Sequence, residues 1–158
     1  MRQDAHNPGD ASAAPCAGLR IGDMAPDFSA RSTSGDVRLS DYRGRWLVLF
    51  SPPADFTPVC TTEFVALARA AGDFARRDCA LMALSVDSLF SHFAWLRMIR
   101  DRFDVEVRFP IIEDPTLVIG RAYGMVAPDD NDSATVRTTF FIDPHGVIRA
   151  MTCYPANV

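Results

Sequence analysis

A cysteine follows a threonine by three residues in this chain, and prolines bracket the threonine on either side. The residues are Pro53, Thr57, Pro58 and Cys60, within PPADFTPVCTTE at positions 52–63. The segment lies between a continuous apolar run, Trp46–Phe50, and a stretch of helical period that begins at Thr61. Cys60 therefore falls in the first turn of a helix, where unsatisfied amides and the macrodipole stabilise an anion. A thiolate is such an anion and is the nucleophilic form of cysteine. A free thiol has a pKa of about 8.5, which helix N-termini and nearby cations lower. The Thr57 hydroxyl has the reach to touch the sulfur or an oxygen bound to it. Pro53 and Pro58 stiffen the loop and remove backbone donors. On these residues alone two readings stay open: a reactive thiolate, or a small apolar side chain buried under the helix.

The elements that must hold this segment follow from hydrophobic period. Trp46–Phe50 and Cys79–Val86 read as strands buried on both faces. Phe64, Leu67, Ala68, Ala71 and Phe74 trace one face of a helix, and Leu89, Phe93, Leu96 and Ile99 trace a second. Pro110–Ile112 predicts a short strand, and Pro115 opens a short helix through Tyr123. Thr139–Ile142 and Val147–Met151 predict a closing hairpin about the turn Asp143-Pro144-His145-Gly146. Within residues 18–44, DFSA and DVRLS suggest a small β-hairpin ahead of the main fold. Alternating strands and helices with a terminal hairpin imply an α/β domain with a mixed central sheet.

Composition narrows the functional classes. The chain has 158 residues, 48% hydrophobic and 23% charged, enough to bury one core. Its net charge of −4 disfavours nucleic acid and anionic membrane as partners. No run approaches the roughly 20 apolar residues of a membrane span. Residues 1–17 hold Pro8, Gly9 and scattered Ala without a continuous apolar stretch, so they read as a flexible lead-in rather than a signal peptide. A cytoplasmic location is the resulting expectation.

The four cysteines, Cys16, Cys60, Cys79 and Cys153, form no C-x-x-C pair and no zinc-ligand spacing. No metal or cofactor is expected. Cys79 opens a buried strand and reads as structural, and Cys16 as incidental to the lead-in. Cys153 ends the last strand, from which a second thiol could be offered to an oxidised Cys60. His6 and His145 sit in the lead-in and a turn, with no function attached.

The motif P-x-x-x-T-x-x-C, here Pro53, Thr57 and Cys60, strongly resembles the active-site motif of the peroxiredoxins, and DFTPVCTTE resembles their one-cysteine branch. The family's catalytic arginine precedes a late apolar strand and Asp; VRTTFFIDP makes Arg137 its match. SLFSHFAWL, with His92 and Trp95, and the tail CYPANV are similar to that branch as well. Those two helical residues read either as a core pair or as part of a subunit contact near the site. The resemblance runs from about Gly18 to Val158 and implies a thioredoxin-like fold over 18–158. It further implies that the Cys60 thiolate attacks a peroxide and becomes a sulfenic acid. Thr57 would orient the peroxide, Arg137 would stabilise developing charge, Pro53 would shield the pocket, and Glu63 would hold Arg137.

Two features depart from the branch. Pro52 stands where FSHP has its histidine, and the chain stops where the family continues through a further helix and arm. A C-terminally truncated form is therefore expected, lacking the second arginine that partners the residue matching Glu63. Cys153 does not match the two-cysteine resolving motif. The implied partners are a peroxide substrate and an external thiol reductant, either a small thiol or a thioredoxin- or glutaredoxin-like protein. A homodimer or higher homo-oligomer is implied for the full-length form. The implied activity is reduction of hydrogen peroxide and alkyl hydroperoxides in antioxidant defence. Rival functions are a peroxide sensor or holdase chaperone using the same oxidation, and a noncatalytic thioredoxin-like module.

Overall fold

The computed structural model describes residues 18–126 and 137–154. The expected lead-in over 1–17, with His6 and Cys16, and the end of CYPANV beyond Tyr154 lie outside the described residues. Among the described residues seven strands form one sheet: β1 Ser29–Ser32, β2 Gly35–Arg38, β3 Trp46–Ser51, β4 Cys79–Ser85, β5 Ile111–Glu113, β6 Arg137–Ile142 and β7 Ile148–Tyr154. Their order across the sheet is β2-β1-β5-β4-β3-β6-β7. The β3–β4 and β4–β5 pairs are parallel, and the remaining pairs are antiparallel. The α-helices are α1 Pro58–Arg76, α2 Leu89–Phe103 and the short α3 Val118–Ala122.

Period-two alternation sorts the central strands into two cores. From β3, Leu47 and Leu49 pack with Met82, Leu84, Tyr123 and Phe140 on one face. Val48 and Phe50 point the other way, joining Phe64, Leu81, Trp95, Ile99 and Ile111 beneath α1 and α2. The apolar runs of β3 and β4 are continuous because both of their faces are covered.

Three boundaries differ from the pattern. The N-terminal hairpin does not stand ahead of the fold; β1 joins the edge of the main sheet through Ser32 opposite Ile112. Thr33 secures that junction, its N–H donating to the Ile111 carbonyl at 3.0 Å and its hydroxyl accepting from Ile111 N–H at 3.0 Å. The closing hairpin runs farther than its apolar residues, with Arg137 opposite Tyr154 and Thr138 opposite Cys153. A ladder needs only backbone partners, so polar residues extend it. The short helix starts at Val118 rather than Pro115, because Leu117 is left-handed at φ 59° and a turn precedes it.

Candidate active site

The loop from Pro52 to Thr57 leaves the carboxyl end of β3, the usual place for a site in an open α/β sheet. Thr57 is the N-cap of α1, with extended backbone at φ −71° and ψ 147°, and Pro58 takes the first helical position. Proline suits that position because its missing N–H has no intrahelical role there. Cys60 lies two residues later, inside the first turn, as the spacing predicts. Its side chain is 1% exposed, so only a small reactant has access while the loop keeps this shape.

A single guanidinium completes the site. Arg137, the first residue of β6, donates from Nη2 to Cys60 Sγ at 3.2 Å and from Nη1 to Glu63 Oε2 at 2.6 Å. Glu63 sits three residues beyond Cys60, the spacing of helical neighbours, so sulfur and carboxylate face the same cation. The arginine is largely sheltered, its side chain 12% exposed against 30% for Glu63. Its Nε is buried without a hydrogen-bond partner among the described residues. A charge-assisted pair fixes one arm of the fork, and Nη2 on the other arm faces the sulfur. Cys60, Glu63 and Arg137 are thus brought together from distant parts of the sequence, 77 positions separating sulfur from guanidinium.

Thr57 and Pro53 frame the loop. The Thr57 hydroxyl donates to the Ala54 carbonyl at 3.2 Å, and its own carbonyl accepts from Thr61 N–H at 2.9 Å and Thr61 Oγ1 at 2.7 Å. Pro52 and Pro53 are both buried, and with Asp55 they form the base of the loop. Beneath Cys60, Phe64 packs against Trp95 at 4.4 Å and against Phe50 and Phe109, both at 5.4 Å between centroids. This aromatic floor holds the helix start against the sheet.

Cys60 and Cys79 are free thiols among the described residues; Cys153 is not one of them. Burial pushes the Cys79 thiol above its ordinary range, and the neighbouring Asp78 charge adds to this. Cys153 lies directly opposite Thr138 on β7, so the two side chains share a sheet face. Arg137, adjacent to Thr138, points from the other face to Cys60. Cys153 is thereby directed away from the Cys60 side.

Asp55 is the residue that sequence pattern leaves silent. It is 7% exposed, and its Oδ2 lies 2.7 Å from Nδ1 of His92, which is fully buried. Trp95 is fully buried too and donates from Nε1 to Thr61 Oγ1 at 3.1 Å. His92 and Trp95 are core residues in contact with the active loop. A carboxylate inside the motif's variable gap carries no periodic signal, and its partner is 37 positions away.

Known proteins share this arrangement of chain. Residues 21–151 match the model of the AhpC/TSA family. A peroxiredoxin of Aquifex aeolicus is 50% identical over 137 residues, covering 86% of this chain and 62% of the relative. Peroxiredoxin 2 of Caldanaerobacter subterraneus subsp. tengcongensis is 48% identical, covering 88% of this chain and 63% of its own length. The chain thus spans less than two thirds of these relatives. Among solved structures, a yeast mitochondrial 1-Cys peroxiredoxin superposes with a TM-score of 0.81 at 41% identity, covering 89% of this chain and 70% of that one. A cysteine-to-serine mutant of peroxiredoxin 6 from Arenicola marina gives 0.82 at 36%, covering 89% and 67%.

Proposed function

Since the chain belongs to the AhpC/TSA family, the peroxiredoxins, we propose that it is a thiol-dependent peroxidase acting on hydrogen peroxide and alkyl hydroperoxides through Cys60. The observation that carries this reading is the donation of Arg137 Nη2 to Cys60 Sγ, with Glu63 holding the other arm of the fork. A cation so placed stabilises an anionic sulfur before reaction and the charge that grows on oxygen during it.

In the proposed step, the sulfur lone pair forms an S–O bond to the terminal peroxide oxygen as the O–O bond breaks. Sulfur gives up two electrons, and the departing hydroxide or alkoxide takes a proton to leave as water or alcohol. Cys60 becomes a sulfenic acid; one external thiol condenses with it to a mixed disulfide and water, and a second thiol displaces Cys60, the two-electron loss passing to the reductant as its disulfide. Thr57 orients the peroxide once its hydroxyl turns from Ala54, and Pro53 keeps the loop dry. The yeast relative is described with a thiol resolving mechanism via glutathione/thioredoxin systems; a small thiol or a thioredoxin- or glutaredoxin-like protein is the reductant we propose here. A reducing compartment such as the cytoplasm suits that chemistry.

Cys60→Ser tests the reading. Peroxide consumption with a dithiol reductant should vanish, because a serine hydroxyl is neither ionised nor comparably nucleophilic at neutral pH. Consumption that persists in the folded variant removes Cys60 as the nucleophile.

A further inference from the structure

One face of α2 grips the loop that carries Thr57 and Cys60 at two points. His92 and Trp95, three residues apart, are helical neighbours on that face. His92 Nδ1 meets Asp55 Oδ2 at 2.7 Å, two residues before Thr57. Trp95 Nε1 donates to Thr61 Oγ1 at 3.1 Å, and that hydroxyl donates on to the Thr57 carbonyl at 2.7 Å. The two chains of contact end on Asp55 and Thr57, the residues on either side of Phe56.

Phe56 is the strained point between them. Its φ is 62°, a left-handed conformation that a bulky side chain adopts only where its surroundings hold it. Its half-exposed ring lies 6.5 Å from that of Trp95, centroid to centroid, which adds a side-chain contact with α2. Further restraint comes from its neighbours. Asp55 N–H donates to Asp87 Oδ2 at 2.8 Å, and Ser85 Oγ lies 3.4 Å from Asp55 Oδ1. The buried Asp55 carboxyl itself is met by His92 Nδ1 and Ser85 Oγ, the polar partners that burial of such a group requires.

His92 has a feature that packing does not explain. Its Nε2 is buried without a partner among the described residues, so the ring's polar recognition is directed entirely at Asp55. A purely space-filling position at 0% exposure would be served better by an apolar ring, which leaves no polar atom unsatisfied.

We infer that His92 and Asp55 are positioning residues for the Cys60 reaction, and that α2 acts as a clasp holding the Thr57–Cys60 turn in the shape that reacts with peroxide. The sheet fixes the Arg137 half of the site through β6, and α2 fixes the other half. Opening the clasp relaxes Phe56, displaces Thr57 and Cys60 from Arg137, and uncovers a sulfur that is otherwise 1% exposed. The clasp therefore has opposite effects on two reactions of one thiol: it favours small peroxides and excludes bulky reagents.

The inference rests on Cys60 being the peroxide-reactive thiol, and the test separates the two claims. Slow oxidation of wild-type Cys60 defeats that premise; the clasp is judged by how the variants differ from wild type. Stopped-flow oxidation by hydrogen peroxide and labelling of Cys60 by the bulky disulfide DTNB are measured on wild type, H92F and H92N. H92F deletes the donor and keeps a ring, and H92N places an amide N–H near the position of Nδ1. H92F should oxidise about tenfold to a hundredfold more slowly, the scale of a misplaced reacting group, and its Cys60 should label faster with DTNB. H92N should restore most of the rate and most of the protection. Should H92F fail to fold, T61V cuts the Trp95 arm without changing side-chain volume and should show the same opposed pair of changes. A folded H92F, or T61V in its place, that oxidises and labels like wild type overturns the clasp, even if its melting temperature falls. H92N as impaired as H92F overturns it as well, because the hydrogen bond would then not be what positions the loop.

Discussion

Arg137 divides one guanidinium between a carboxylate and a sulfur, and its worth depends on that geometry as much as on its charge. Glu63 takes Nη1 at 2.6 Å and Cys60 lies 3.2 Å from Nη2. Removing a donor that faces developing charge costs about 10²- to 10³-fold in rate in comparable sites. Arg137→Ala should therefore slow Cys60 oxidation by about that factor in rapid-mixing experiments, and Arg137→Lys should recover little, since an ammonium cannot bridge both partners as a planar fork does. Full activity in Arg137→Ala would mean that another group supports the sulfur. At this scale the local part of the site was legible from sequence. Thr57 and Cys60 lie close together in the chain, and their spacing at a helix start places them side by side, whereas Glu63 was singled out by resemblance. Arg137 was reached only through resemblance, because no period links β6 to the start of α1. Asp55 and His92 were not found as a pair at all: a buried hydrogen bond between distant segments is a product of tertiary packing.

Glu113, at the end of β5, binds three elements. Its Oε2 accepts from Leu89 N–H at 3.0 Å at the start of α2, and its other oxygen pairs with Arg31 of β1. The Leu89 amide, chiefly, and Arg31 hold the Glu113 carboxyl below its ordinary value of 4.5, against the opposing effect of burial. A depressed folded pKa means the contribution is complete above that ordinary value and is lost as pH falls through the lower folded one. Wild-type protein should lose stability more steeply than Glu113→Gln between about pH 5 and about pH 3, read from urea midpoints. Parallel curves for the two proteins would remove Glu113 from the acid response. Period and punctuation located every strand and α-helix among the described residues to within a few positions. They erred where backbone decides: at left-handed Leu117, and in the polar ends of β6 and β7. The edge position of the N-terminal hairpin was also invisible, since Ser32 and Ile112 meet from distant segments without a pattern that names either.

Across the whole molecule, the sheet separates two cysteines, of which Cys60 alone is a free thiol. Cys60 belongs to the face beneath α1 and α2, and Cys153 shares the opposite face with Thr138. A disulfide requires Cα atoms within about 7 Å and converging Cβ vectors, which this arrangement does not offer across the sheet. Peptide mapping after one equivalent of peroxide should show no Cys60–Cys153 bridge within a chain. Finding that bridge would assign resolution to Cys153 and require β7 to peel from β6. The mixed sheet and the layer of helices on each side were legible early, because strands buried on both faces have continuous apolar runs. Which cysteine lies on which face was not, since it depends on strand register.

The central claim is that position, not cysteine chemistry in general, makes Cys60 reactive, and the molecule carries its own control. Cys79 is a free thiol on the same sheet, partly accessible, and burial and Asp78 hold it in its protonated form. Native protein mixed with substoichiometric hydrogen peroxide, quenched over milliseconds to minutes with a sulfenic-acid trap and mapped by mass spectrometry, compares the two directly. Cys60 should be trapped orders of magnitude faster than Cys79. Equal rates for the two thiols would contradict it.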